Sequence, residues 1–430
     1  MNGLKKLSAA LGVSLALAGF GMGMGMGAAS AQDSKVFKIW WYEAPESAMA
    51  IAWNQAIEEF KAKHPDLTIA FEQKSWDQIE KAGSLMLNSN EAPDLMEYNK
   101  GNAIAGLAAS QGLLTDLTDV AKERGWDKIL TEGQQALGRY DDRGIFGGGP
   151  LIGVPDYGEF VTVYYNKDLF KANNLEVPTT FEEFETVLDA FVAKGITPIA
   201  EAANDYPAQH LLYELALIKA DPEWVANYQG LKAPLDTAPY LYGAQKLQEW
   251  VQKGYVSKDA TGLKAQDMAN LFMAGKAPMI ISGTWFAGEF KSKIDGFEWG
   301  HFLFPGKNIS AGSTGNIWVV PKNGKNKELA YEFIDLTLTK ANQALLGNSG
   351  GVPVAADPSD VTDPVGNMLT SGFKTLSDRD GLGFYPDWPA PGYYNLLMQK
   401  TQALIGGSLT PEAFIEAIAG PYNEAYEEAN

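Results

Sequence analysis

The stretch Val36-Phe37-Lys38-Ile39-Trp40-Trp41-Tyr42 decides how the chain is organised. Aromatic and β-branched residues fill it around a single charge, as in a strand buried on both faces. Ser47 follows as a helix cap, and Met49, Trp53, Ile57 and Phe60 recur at helical spacing until His64-Pro65 stops the helix. Residues 67–71 form a second strand pattern, 79–87 an amphipathic helix and 93–98 a third strand. Strands alternating with helices at this spacing predict a parallel sheet in an α/β fold.

Farther along, residues 144–153 read Gly-Ile-Phe-Gly-Gly-Gly-Pro-Leu-Ile-Gly. A phosphate-binding loop would end in Lys-Ser or Lys-Thr before a helix, and this run does not, so it reads as a hairpin or loop. Residues 161–165 predict a strand, and Thr180 with Glu183 forms a capping box that opens a helix through Phe181, Phe184, Leu188 and Phe191. The chain is then mostly helical to about residue 290, with a strand at 279–282. A late strand at 317–320, a helix over 328–346, a linker at 350–354 and a helical tail from about Tyr393 complete the pattern. No internal repeat is present.

The N-terminus sets the compartment. Lys5 and Lys6 precede an apolar core at residues 11–20, a Gly/Met-rich run to Gly27, and Ala29-Ser30-Ala31. This is the order of a cleaved secretory signal peptide, with the mature chain starting at about Gln32. The apolar core is too short for a stable membrane span. The 430-residue chain has no cysteine, which leaves no lipid-anchoring thiol, disulfide framework or thiolate metal site. Roughly 400 mature residues suggest two or three domains, or two lobes. The formal charge of −19 becomes −21 once Lys5 and Lys6 are removed, an acidic surface that argues against nucleic acid as a partner.

Catalytic patterns are thin. Gly347-Asn348-Ser349-Gly350-Gly351 matches the spacing of a nucleophile elbow, but that arrangement needs a later histidine, and His64, His210 and His301 all lie upstream. No histidine pair has metal-ligand spacing, so neither metal nor cofactor is expected. Aromatic residues give a stronger signal. Trp40, Trp41 and Tyr42 end the first strand, Tyr98 ends the third, and Tyr157 lies in a loop. Trp285 follows the strand at 279–282, and Trp388 and Tyr393 flank a Pro-rich turn. Ligands of open α/β sheets bind beyond the carboxyl ends of the strands. Flat aromatic faces there suit the C–H faces of a pyranose, and Glu43, Asn99, Glu159, Asp205, Gln209 and Asn316 are placed to pair its hydroxyls. Trp53, Trp126, Trp224 and Trp250 sit in helical contexts and are assigned to packing.

Pro93-Asp94-Leu95, Gly153-Val154-Pro155 and the run Tyr164-Tyr165-Asn166-Lys167-Asp168-Leu169-Phe170 carry a family resemblance. So do Phe272-Met273-Ala274-Gly275-Lys276-Ala277-Pro278-Met279 with Gly283-Thr284-Trp285, residues 327–333, and Gly351-Val352-Pro353. In this order they resemble the family-1 extracellular solute-binding proteins of ABC transporters, over nearly the whole mature chain. The resemblance implies a type II clamshell: two α/β lobes, a ligand cleft between them and three crossings, near 156–160, 315–318 and 350–354. One lobe would hold residues 32–156 and 317–349, the other 157–316 and 350–430, after a signal peptide at 1–31.

The resemblance also implies a periplasmic monomer, not an enzyme, that hands a carbohydrate to membrane permease subunits driven by a separate ATPase chain. Tyr42 and Glu43 match the family's polar turn after the first strand, Tyr98 and Asn99 its contacts after the third, and Glu159 its hinge carboxylate. Tyr206 aligns with a ring-stacking aromatic, beside Asp205 and Gln209, and Trp285 matches the tryptophan of the family's G-x-W element. Trp388 and Tyr393 match its C-terminal aromatic region; at His210, where the family often has Trp, stacking is open. Arginine is scarce, which favours a neutral mono- or oligosaccharide, with Arg379 the one residue that could bring a charge. A polyol, an amino-sugar or a sulfonated sugar in the same fold, or a secreted glycoside hydrolase, are the alternatives.

Overall fold

The computed structural model describes residues 36–430; the segment read as a signal peptide lies outside the described residues. Twelve strands in chain order organise the fold among the described residues. They are β1 (Val36–Trp41), β2 (Thr68–Gln73), β3 (Leu95–Tyr98), β4 (Arg139–Tyr140), β5 (Phe146–Leu151), β6 (Val154–Pro155), β7 (Glu159–Asn166), β8 (Ile199–Ala200), β9 (Met279–Gly283), β10 (Trp299–Phe302), β11 (Gly312–Ser313) and β12 (Ile317–Val319).

The first sheet has the order β2-β1-β3-β12-β6, and the second β10-β7-β9-β8 with β11 on β7. β1 pairs parallel with β2 and β3, as the opening sequence requires. The sheets are nonetheless mixed: β12 runs antiparallel to β3 and β6, and β7 antiparallel to β9 and β10. Those strands arrive from the other lobe, not from a βαβ crossover, so the right-handed parallel rule does not govern them.

Both faces of β1 are covered. Phe37, Ile39 and Trp41 pack with Trp53, Phe60, Trp318 and Phe333, whereas Trp40 joins Met96, Tyr98 and Ile317 on the opposite face. The helix Ala48–Lys63 starts on Ser47, whose Oγ accepts the Ala50 amide at 3.0 Å, and it presses Trp53 and Phe60 onto that core. In the second lobe β7 alternates in the same way, with Val161 and Val163 on one face and Phe160 and Tyr164 on the other. Trp126 and Trp250 are buried packing residues, as are Trp53 and Trp224. The helix expected over 328–346 is two helices, Lys327–Thr337 and Lys340–Asn348, because Thr339 stops the first and caps the second through the Asn342 amide. Gly347–Gly351 lies at the end of that second helix, with no strand before it, which removes the elbow reading.

The chain passes between the sheets three times. Residues 156–158 link β6 to β7, 314–316 link β11 to β12, and 349–354 leave the helix Lys340–Asn348 for the second lobe, where Val352 packs. Gln343, fully buried, ties two crossings together. Its Nδ-equivalent amide nitrogen, Nε2, donates to the Asp156 and Thr337 carbonyls, and its Oε1 accepts from the Val354 and Ala355 amides. The glycine-rich run forms the β4–β5 hairpin. It reaches the other lobe through Phe146, which meets Trp388 edge-on at 6.2 Å, and beside it the segment after β3 does the same: Asn102 Nδ2 donates to the Gln229 carbonyl at 2.9 Å and the Ala103 amide to the Trp388 carbonyl at 3.0 Å. The lobes thus touch at the crossings and again at this rim, and the structure is closed. No helix among the described residues is long and apolar enough to cross a membrane.

Asp94 shows how a short motif earns its place. Its buried carboxylate accepts four hydrogen bonds, from the amides of Lys38, Lys325 and Asn326 and from Asn326 Nδ2, at 2.8–3.1 Å. It fastens the loop after β12 to the start of the first sheet. Asp94→Ala leaves these donors without their acceptor, and a loss of about 3 kcal/mol is expected. Urea denaturation checks it: the midpoint should fall with the slope unchanged.

Candidate functional site

A cavity of about 330 Å³ lies between the lobes, at the carboxyl ends of β1, β3, β8 and β9. Such ends leave strand backbone groups and loop side chains pointing into one crevice. From the first lobe, Tyr42 and Glu43 enter just after β1 and Asn99 just after β3. Tyr157 and Glu159 come from the first crossing and Asn316 from the second. Asp205 and Tyr206 lie in the loop after β8, and Trp285 and Trp388 complete the expected residues on the second-lobe side.

Three expected residues lie elsewhere. Tyr98 is buried among Trp40, Met96 and Ile317, on the face of β3 turned from the cavity. Gln209 is fully buried in the helix Ala208–Ala216 and does not line the cavity; His210, its neighbour, does. Tyr393 packs in the core with its hydroxyl donating to the Ile418 carbonyl at 2.7 Å, and Tyr394 lines the cavity instead. Arg379 is exposed at the end of the helix Pro364–Asp378 and takes no part in the lining. The sequence reading missed Tyr385, Asp387, Gln266 and Glu289. Tyr385-Pro386-Asp387-Trp388 puts three of four residues on the wall, and this polar-aromatic cluster around a proline is the signal that could have found them.

The second-lobe wall is a chain of rings. Tyr206 meets Trp285 at 5.9 Å and 65°, His210 meets Tyr385 at 5.2 Å, and Tyr385 meets Trp388 at 5.9 Å. Trp285 owes its pose to Gly283. Its indole folds back so far that a Cβ on Gly283 would stand 1.9 Å from the ring. The G-T-W element is therefore a steric unit, with glycine needed for space and not for an unusual backbone, since its φ is −76°. Gly283→Ala should push the indole into the cavity while the fold persists. Ligand affinity should drop at least about tenfold, the worth of one well-placed aromatic contact. Titration followed by tryptophan fluorescence reads this, and unaltered binding would show that the indole is no part of the wall.

The side of the cavity at the crossings is polar. The Tyr157 hydroxyl donates to Glu43 Oε1 at 2.9 Å, and Asn316 Nδ2 donates to the Tyr157 oxygen at 2.7 Å. Ser313 Oγ donates to Glu159 at 3.3 Å. Behind these residues lie Glu97, Asp156 and Lys100, all buried. Burial raises the carboxyls of Glu43, Glu97 and Asp156, and neighbouring negative charge raises Glu97 and Asp156 further. Burial also lifts Glu159 to about 7, partly offset by Lys100, and lifts Asp387 to about 6. Lys100 falls to about 8 and His210 to about 3, both from burial, so the imidazole in the wall is neutral. The described residues contain no group of side chains that could hold a metal ion.

These shifts fix a pH dependence. Glu159 and Glu201, raised by burial to about 7 and about 8, keep protons in the folded chain that the unfolded chain has released. Their stabilisation is lost as pH rises through those values. His210 and His301, lowered by burial to about 3 and about 4, act oppositely, but only below the unfolded imidazole value of 6.5. Lys100 acts oppositely only above about 8. The melting temperature of the ligand-free chain should therefore fall from about pH 6.5 to about pH 8, and Glu159→Gln should flatten that fall. A melting temperature constant across this window in both chains would contradict the assignment.

A two-lobed α/β protein with an aromatic and acidic cleft at the interlobe crossings belongs to the class of ligand-binding clamshells. Residues 46–344 match the model of the bacterial extracellular solute-binding proteins, and the chain belongs to that family. It is 25% identical over 342 residues to a maltooligosaccharide ABC transporter solute-binding lipoprotein of Streptococcus pneumoniae serotype 4, covering 74% of each chain. Among solved structures it is similar to a chitin oligosaccharide binding protein, with a TM-score of 0.77 and 23% identity over 92% of this chain and 100% of the other. A solute-binding protein in complex with raffinose is similar at a TM-score of 0.69 and 18% identity, over 91% and 99% of the two chains.

Proposed function

We propose that the protein is the periplasmic substrate-binding component of an ABC importer, and that it binds a mono- or short oligosaccharide without changing it. The observation that carries this reading is the meeting, in one interlobe cavity, of a ring wall from the second lobe with hydrogen-bonding carboxylates and amides drawn from both lobes and from the crossings. Trp285 and Tyr206 offer faces to pyranose C–H groups, with the buried Trp388 ring closing the wall behind Tyr385; Tyr42, Glu43, Asn99, Glu159, Asp205 and Asn316 take its hydroxyls, with Tyr157 holding Glu43 in place. Names of relatives and structural neighbours that specify oligosaccharides support the ligand class.

The lobes divide at the crossings, with residues up to 156 and 317–349 in one and 157–316 and 350–430 in the other; sheet membership supports this division. A ligand that touches both lobes favours the closed form, because only that form makes all its contacts. The closed form then docks as a monomer on permease subunits served by a separate ATPase. No Lys or Arg lines the cavity among the described residues, which disfavours an anionic sugar and sets the sulfonated alternative aside.

Calorimetric titration of the mature chain against a carbohydrate panel is expected to give a micromolar or tighter ligand, about −8 kcal/mol. Trp285→Ala should weaken it about thirtyfold, the loss of a ring face worth about 2 kcal/mol. Chromatography of the recovered sugar should show it intact. Absence of heat with every carbohydrate would refute the ligand class, and cleaved products would favour a glycoside hydrolase.

A further inference from the structure

The cavity is unusually short of positive charge. Five carboxylates line it: Glu43, Glu159, Asp205, Glu289 and Asp387. Glu289 is paired with Lys293 at 2.8 Å, whereas Asp205 accepts the Ala265 amide at 2.8 Å, Glu43 the Tyr157 hydroxyl at 2.9 Å and Glu159 the Ser313 hydroxyl at 3.3 Å, all uncharged donors. Glu43, Glu159 and Asp387 have no cationic partner among the ion pairs of the described residues. Beneath them Glu97 and Asp156 add two more buried acids, and neither oxygen of Asp156 has a hydrogen-bond partner. Lys100 is the one basic side chain buried with this group. Its Nζ makes no hydrogen bond and stands 5.5 Å from the centre of the Trp388 ring.

A buried cluster of carboxylates with so few cations is stabilised by any cation that enters beside it. The wall facing Glu43 and Glu159 is aromatic, and indole and phenol faces attract a desolvated ammonium group. Resting on the carbohydrate reading above, we propose that the ligand is a sugar carrying a free amino group, whose ammonium binds between Glu43 and Glu159 against the ring wall.

The test is titration of the mature chain with aminodeoxy hexoses and their dimers, each beside its hydroxyl parent and its N-acetyl form. At least one amino sugar is expected to bind tenfold or more tighter than both counterparts, and to weaken with rising salt while the parent does not. Glu159→Gln should cut that preference at least tenfold, read as the ratio of amino-sugar to parent affinity measured on the same variant. Glu43→Gln removes the other charge of the proposed ammonium position and should cut the same ratio should the first variant fold poorly. Parents that bind as tightly as the amino sugars would overturn the charge inference and leave the carbohydrate reading standing. Binding of no sugar in any form would overturn both.

Discussion

Glu43 Oε1, the Tyr157 hydroxyl and the Asn316 amide form the contact on which the rest of the structure depends. Each group comes from a different place in the sequence: the end of β1, the first crossing and the second. Together they hold a carboxylate at the base of the cavity and fix both crossings to the edge of the first sheet. A buried carboxylate needs such partners, since an unpaired one costs several kcal/mol. The two crossings therefore cannot shift independently of the ligand-facing side chain. Gln343 adds a second fixing point, joining the first crossing to the third through the Asp156 carbonyl and the Val354 and Ala355 amides. Lobe motion then has to be rotation about a braced axis, and not free separation.

The fold was legible because β1 is apolar on both faces and is followed by a capped amphipathic helix. Those signals are local, and local signals survive in a sequence. Antiparallel pairing of β12 with β3 was not legible, since it depends on a strand returning after a whole lobe has intervened. Around the cavity, most residues expected from the sequence line its wall, and three are turned away from it. Tyr98, Gln209 and Tyr393 each lie one residue from a side chain that lines the cavity, namely Asn99, His210 and Tyr394. Periodicity could have corrected one of these. Tyr393 shares a helical face with Leu397, Thr401 and Leu404, all buried, so its neighbour is the one turned outward. Gln209 offered no such cue, because every residue of its helix is buried.

The aromatic count was informative only after burial sorted it. Trp41 stacks near Phe71 at 3.8 Å and Trp53 meets Trp318, both deep in the first lobe. Several rings that line the cavity, Tyr206, Tyr385 and Trp388 among them, come instead from loops, and Tyr385 and Trp388 pack on the second lobe's core as well. Tyr385 and Asp387 escaped notice because the loop at 381–391 has no periodic pattern, and its shape is set by contacts with β11 and the helix Pro222–Gln229.

The rim contacts of Phe146, Asn102 and Ala103 have a consequence for timing. They join the lobes on the side away from the crossings, and of the residues involved only Trp388 belongs to the cavity wall. Such contacts add equally to the closed form of every ligand complex, so they do not choose among ligands. They lengthen the dwell time of whichever ligand is inside, since the rim must part before release. Selection and residence are thereby carried by largely separate side chains, and release can be tuned at the rim without disturbing what the cleft recognises.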